Sequence, residues 1–335
     1  MEKLIEINDL TIDFQLEKKV LRACDNASFT IYRNEIVAII GESGSGKSTL
    51  ASGILNLVRT PGKITSGTVN YYTDENNIVD LLNLSGQEEI SYRWKKIATV
   101  FQAAQNALNP VLKVKEHFIE TVRVHDKKIS EKDILEKAVE TLGYVRLEKA
   151  ILEYYPHQLS GGMKQRVLIA LSLILDPEII ILDEPTTALD VVTQYYILQL
   201  LKEIQQKLGT TLVFLTHDIA VVSGIIDRVA VMYAGEIVEY GNVTEVLTDS
   251  KHPYTKGLIE AIPTLKDDVT RRKAIPGNPP NLTHDFEKCK FSERCFVYLE
   301  GDCEADKKKT EKMYALETDR HTRCYTWAND DNEVD

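Results

Sequence analysis

The sequence predicts an α/β fold in which a largely parallel, buried sheet is covered by helices. Three observations carry this expectation. Short, largely apolar runs of strand length recur at residues 35–40 (EIVAII), 179–182, 211–215 and 228–233. Continuous runs of this kind, unlike alternating ones, belong to strands buried on both faces. Helical stretches separate them, as strands in a parallel sheet require. The first run also enters a glycine-rich turn and then the helix-like segment 47–57, an order that places ligands at the carboxyl ends of strands.

The remaining elements follow in order. Residues 4–14 and 27–32 alternate in the manner of half-buried strands. From about residue 103 to 175 the texture becomes helical and charged (KISEKDILEKAVETLG), which reads as a helical subdomain inserted into the α/β core. Past residue 249 the texture changes again. Pro253, Pro263, Pro276, Pro279 and Pro280, with Gly277, mark a loop-rich segment that ends in an acidic tail (NDDNEVD). The expected division is therefore a domain at 1–249 and an extension at 250–335.

Composition narrows the class. The 335 residues are 43% hydrophobic and 27% charged, which is globular rather than disordered. A net charge of −11, from 40 basic and 51 acidic residues, argues against broad binding to nucleic acid or anionic lipid. No run approaches the roughly 20 apolar residues needed to span a bilayer. The longest, 167–175, contains Ser172 and is stopped by Asp176-Pro177, so it reads as a buried helix. The acidic, alternating start MEKLIEINDL is unlike a signal peptide, and the expected location is cytoplasmic.

Residues 41–48 read GESGSGKS, matching G-x-x-x-x-G-K-[ST]. Gly41, Ser43, Gly44 and Gly46 let the backbone wrap an oxyanion, so that N–H groups and the following helix start point at phosphates. Lys47 then neutralises the β- and γ-phosphates, Ser48 binds Mg²⁺, and Thr49 follows in the same turn. At the end of the run IIILDE, Asp183 is placed to hold Mg²⁺ through water, and Glu184 to take a proton from an attacking water. The expected ligands are ATP and Mg²⁺.

Those two motifs define only the broad class of phosphate-loop ATPases and GTPases. The run LSGGM at 159–163, followed by KQR, resembles the LSGGQ signature of the ABC ATPases, with Met163 in place of glutamine. The resemblance implies a P-loop NTPase fold of ABC type: a RecA-like core, an antiparallel β subdomain and the helical insert. It also implies that Ser160, Gly161 and Gly162 cap the γ-phosphate bound to an opposite subunit. Gln102 (VFQ) is similar to the glutamine that contacts Mg²⁺, and Asp190 (TALD) to the loop at the dimer seam. His217 (LTHD) resembles the switch histidine beside the γ-phosphate, and Phe14 the aromatic that stacks on adenine.

The runs KHPYTKGLIEAIP (251–263) and IPGNPPNL (275–282) resemble the C-terminal extension of ATPase subunits in bacterial oligopeptide, dipeptide and nickel importers. The partners implied are a related second ATPase subunit, as a heterodimer or a homodimer, two transmembrane permeases and an extracellular binding protein. Nucleic acid is not among them. The implied place is the cytoplasmic face of the plasma membrane, and the implied work is uptake of oligopeptides or dipeptides driven by cassette dimerisation.

Of five cysteines, Cys24 stands alone and reads as a small apolar residue. Cys289, Cys295, Cys303 and Cys324 follow the spacing C-x5-C-x7-C-x20-C. Four thiolates suit either a [4Fe–4S] cluster or tetrahedral zinc, and the tight C-x2–4-C pairs usual for zinc are missing. Some members of the importer family bind a [4Fe–4S] cluster on cysteines arranged this way, which makes the cluster the expectation and zinc or unligated thiols the alternatives.

Overall fold

The computed structural model describes residues 1–74, 77–101, 107–187, 189–262, 275–283, 286–317 and 319–327. Its strands are β1 (Lys3–Gln15), β2 (Val20–Tyr32), β3 (Ile36–Ile40), β4 (Gly62–Asp74), β5 (Asn77–Asp80), β6 (Ile97–Val100), β7 (Ile179–Asp183), β8 (Thr211–Thr216), β9 (Arg228–Tyr233), β10 (Glu236–Asn242), β11 (Tyr314–Glu317) and β12 (Arg320–Thr322). The principal helices are α1 (Lys47–Ile54), α2 (Gln87–Tyr92), α3 (Val114–His125), α4 (Glu131–Tyr144), α5 (Gly161–Leu173), α6 (Val191–Leu208), α7 (Ile219–Val222), α8 (Val243–Thr248) and α9 (Pro253–Glu260). Two compact units form. One holds residues 32–36 and 83–215, and the other holds 2–31, 37–82 and 216–335.

In the first unit β6, β7 and β8 pair in parallel, Ile97 opposite Ile179 and Ile179 opposite Thr211. Every residue of β6 and β7 is buried, as the continuous apolar runs require. Helix α5 is apolar on nearly all sides, and Val167 to Leu173 are buried without interruption. Helix α4 starts where Ser130 accepts the Asp133 N–H, so the charged run SEKD is a cap as well as a solvated face. Helix α6 buries the stripe Ile197, Leu198, Leu200, Leu201 and Ile204 and ends at Gly209, whose φ of 67° lies in the left-handed region.

In the second unit β3 pairs in parallel with β9, and β9 pairs antiparallel with β10. The extension adds to this sheet, because β12 pairs with β10 and β11 with β12. A second sheet runs β2-β1-β4-β5, with β1 and β4 antiparallel across a long register from Ile5–Tyr71 to Phe14–Gly62. Cys24 is buried in β2 and its thiol donates to the Leu10 carbonyl at 3.3 Å, the behaviour of a packed small residue. Among the described residues no helix is long and apolar enough to cross a membrane.

Candidate nucleotide site and thiol cavity

The glycine-rich turn sits between β3 and α1, and its shape depends on close backbone approaches. A Cβ on Gly41 would lie 2.1 Å from the Met232 carbonyl oxygen, and one on Gly46 2.3 Å from that of Ala23. Gly46 also has φ 108° and Gly44 φ 78°, which only glycine adopts at low cost. The Lys47 ammonium donates to the carbonyls of Gly41 (2.7 Å) and Glu42 (2.9 Å). Lys47 is thereby curled under its own loop and buried, while Ser43, Gly44 and Ser48 face solvent and Thr49 is half-buried. A loop of backbone N–H groups feeding a helix start, with one lysine at its base, is the arrangement a phosphate cradle requires.

The second unit also carries Phe14 and His217. Phe14 is half-buried near the end of β1, with its ring against Gly62, where a Cβ would lie 2.8 Å from the ring edge. His217 is exposed between β8 and α7, and the next residue, Asp218, caps α7 by accepting the Val221 N–H at 3.3 Å.

The first unit carries the acidic pair and the signature. Asp183 ends β7 and is buried. Glu184 has φ 46°, a left-handed conformation that costs a non-glycine residue on the order of 1–3 kcal/mol. The surroundings hold it there. Its N–H donates to the Leu215 carbonyl at 2.9 Å, and the Thr187 hydroxyl donates to its carboxylate at 2.9 Å. Strain of this kind, fixed by neighbours, aims the carboxylate in one direction. Ser160 is the N-cap of α5 and accepts the Met163 N–H at 3.3 Å. That bond uses the backbone of residue 163, so methionine in place of glutamine leaves it intact. Gly161 opens the helix, and a Cβ on Gly162 would come within 2.9 Å of Thr193. Asp190 caps α6, accepting from the Thr193 N–H (3.0 Å) and hydroxyl (2.6 Å), which holds its carboxyl below the usual range. Gln102 lies outside the described residues, as does Ala188 of the TALD run.

The four clustered cysteines reach one cavity. Cys289, Cys295, Cys303 and Cys324 all line it, together with Phe291 and Tyr325. Cys303 and the Tyr325 hydroxyl stand 3.2 Å apart, and the Cys324 thiol is 3.0 Å from the Thr326 hydroxyl. Burial pushes Cys289 up to about 12 and Cys324 up to about 11, and Cys295 upward as well. Thiols so buried are neutral, and a metal must displace their protons to bind. Among the described residues no three such side chains stand close enough to share one ion.

Three residues near these sites were assigned no role from the sequence. Glu239 is wholly buried in β10 and accepts the N–H groups of Lys251 and His252, each at 2.9 Å. Desolvation raises its carboxyl above the usual range. Tyr254 and Arg294 both reach Glu42 of the phosphate loop.

A parallel α/β core, a phosphate cradle, a strained glutamate at a strand end and a serine-capped glycine helix define an ATP-hydrolysing cassette. The comparisons agree. A family model for the ABC transporter matches residues 24–187, and one for the oligopeptide/dipeptide transporter C-terminal region matches residues 238–303. A dipeptide transport ATP-binding protein of Caldanaerobacter subterraneus subsp. tengcongensis is 44% identical, with 98% of each chain covered. An oligopeptide transport ATP-binding protein of Salmonella typhimurium is 40% identical over 87% of this chain and 86% of its own length. A solved dimeric ATP-binding cassette in a post-hydrolysis state with ADP and phosphate superposes with a TM-score of 0.62 at 33% identity, over 71% of this chain and 98% of that one. The chain belongs to the ABC transporter ATPases, in the oligopeptide/dipeptide branch.

Proposed function

We propose that this chain powers uptake of oligopeptides or dipeptides through a membrane permease pair, by ATP-driven closure of two cassettes. The observation that carries this reading is the phosphate cradle at 41–48, in one chain with an extension of the peptide-transporter type. Each ATP is shared. One cassette contributes the backbone of Gly41, Ser43, Gly44 and Gly46, the charge of Lys47, Ser48 and Thr49, and Phe14 against the base. Asp183, Gln102 and Ser48 would hold Mg²⁺, which would offset phosphate charge there. Glu184 takes the proton of the attacking water and His217 supports the departing γ-phosphate. The opposite cassette contributes Ser160, Gly161 and Gly162 at the start of α5 and Asp190 at the seam. Loss of the γ-phosphate removes the bridge, and the pair opens.

A related second ATPase subunit is the favoured partner, with two permeases holding the pair against the cytoplasmic face of the membrane. An extracellular binding protein delivers the cargo. The extension holds a [4Fe–4S] cluster on Cys289, Cys295, Cys303 and Cys324, with a structural part to play. Support for this comes from four thiols on one cavity and from the wide spacing between them.

Two measurements test the reading. Glu184→Gln is expected to keep ATP binding, trap a closed dimer visible by size-exclusion chromatography with ATP, and lower turnover about 10²- to 10⁴-fold. Turnover at the wild-type rate would remove Glu184 as the base. Anaerobically purified protein is expected to be brown and to contain about four irons per chain. Colourless, iron-free protein loaded with zinc would overturn the cluster.

A further inference from the structure

All three polar groups of Glu42, the second residue of the phosphate loop, are engaged within the second unit. Its carbonyl accepts from the Lys47 ammonium at 2.9 Å. Its N–H donates to the Tyr254 hydroxyl at 3.0 Å. Its carboxylate takes both arms of the Arg294 guanidinium, each at 2.9 Å. Two of these three anchors come from beyond residue 249, from the C-terminal extension.

Arg294 is built for this contact. Its side chain is 6% exposed, and Glu42 is 27% exposed. Its Nε donates to the Pro276 carbonyl at 2.8 Å, and its guanidinium carbon lies 5.7 and 6.0 Å from the ring centroids of Tyr233 and Phe291. The paired carboxylate raises the guanidinium's affinity for its proton. A planar fork fixed at its base and flanked by two rings offers its carboxylate partner one geometry, which a lysine cannot reproduce. Tyr254 is as firmly held, with ring centroids 4.5 Å from Tyr233 and 5.5 Å from Phe291. Arg294 directly precedes Cys295, and a tight turn links it back to Cys289 through the Ser292–Cys289 and Arg294–Phe291 backbone bonds.

We propose that Arg294 and Tyr254 are positioning residues for ATP hydrolysis, which hold the phosphate loop open for nucleotide by clamping Glu42. The Lys47 ammonium rests on the Gly41 and Glu42 carbonyls, so where Glu42 is held fixes where the lysine starts before it reaches for phosphate. The extension is in this way part of the nucleotide machinery. This rests on the loop at 41–48 being the ATP site, and wild-type protein that bound no ATP would refute that premise instead.

The test uses the purified full chain, with a fluorescent ATP analogue for affinity, steady-state hydrolysis, and thermal unfolding to confirm folding. Arg294→Met is expected to weaken nucleotide binding about tenfold, the loss of one charge-assisted contact. Arg294→Lys should recover only part of that loss. Tyr254→Phe, which keeps the ring packing, should weaken binding severalfold with little change in unfolding temperature. In Glu42→Gln/Arg294→Met the two losses should not multiply, because both break one contact. Folded Arg294→Met or Tyr254→Phe protein with wild-type affinity and KM for ATP would overturn the proposal, as would multiplicative losses in the double variant.

Discussion

Single residues carry the proposed nucleotide site, and most of its candidates were legible because the proposed chemistry demands a residue type at a fixed spacing. Gly46 is the clearest case. With φ 108° and a would-be Cβ 2.3 Å from the Ala23 carbonyl oxygen, it tolerates no side chain. Gly46→Ala is expected to distort the loop against backbone that cannot retreat and to abolish detectable ATP binding, measured by nucleotide fluorescence on folded protein. Gly44, with φ 78° but open space around its would-be Cβ, should tolerate alanine better, losing affinity through backbone strain alone. Arg294, Tyr254 and Glu239 were not legible. Each acts through a partner that no local pattern encodes, and Arg294 and Glu42 are 252 positions apart.

At the scale of elements, the buried strands were plain because a continuous apolar run of that length fits little except a strand covered on both faces. The composition of the signature helix α5 predicts a buried span, and it is buried from Val167 to Leu173. Helix ends were less plain, since Ser160 and Asp190 carry ordinary capping bonds as well as their proposed interface roles. The strands β11 and β12 have no such signal. They are short, lie in the segment whose prolines suggest loops, and gain order by pairing onto β10. Glycines in helices give a paired prediction. Gly209 closes α6 at φ 67°, and Gly209→Ala is expected to cost about 1 kcal/mol in chemical denaturation. Gly143, inside α4 with nothing within 4 Å of a would-be Cβ, should gain about 0.5 kcal/mol on becoming alanine. If Gly209→Ala raised stability as Gly143→Ala is expected to, left-handed geometry would not be what selects glycine at 209.

At the scale of the whole molecule, the change of texture after residue 249 marks composition, not a break in packing. The extension shares one unit with the phosphate loop, and buried polar groups tie it in. Glu239 accepts from Lys251 and His252, and the Arg323 guanidinium donates to the Ile237 carbonyl at 2.9 Å. His252 lies at the centre of this junction. Its Nδ1 accepts the Tyr254 N–H at 3.1 Å and so starts α9, and burial, with Arg323 nearby, lowers its pKa to about 3. The sign of the pH effect follows. Between the ordinary histidine value of about 6.5 and 3, the unfolded chain binds a proton that the folded chain refuses, so stability falls as pH falls through that window. The slope from this one group is at most about 1.4 kcal/mol per pH unit. Glu239 works in the opposite sense, because its raised carboxyl takes up a proton in the folded state before an unfolded carboxyl would. His125 and His321, whose pKa values burial also lowers, add to the slope in the same sense as His252 below the ordinary histidine value of about 6.5. His252→Asn keeps a side-chain acceptor for the Tyr254 N–H and removes the titrating ring. Denaturant titrations of the full chain from about pH 6.5 down to about 5 are expected to show a steeper pH slope in wild type than in the asparagine variant. An unchanged slope in His252→Asn would mean that acid loosens the protein elsewhere.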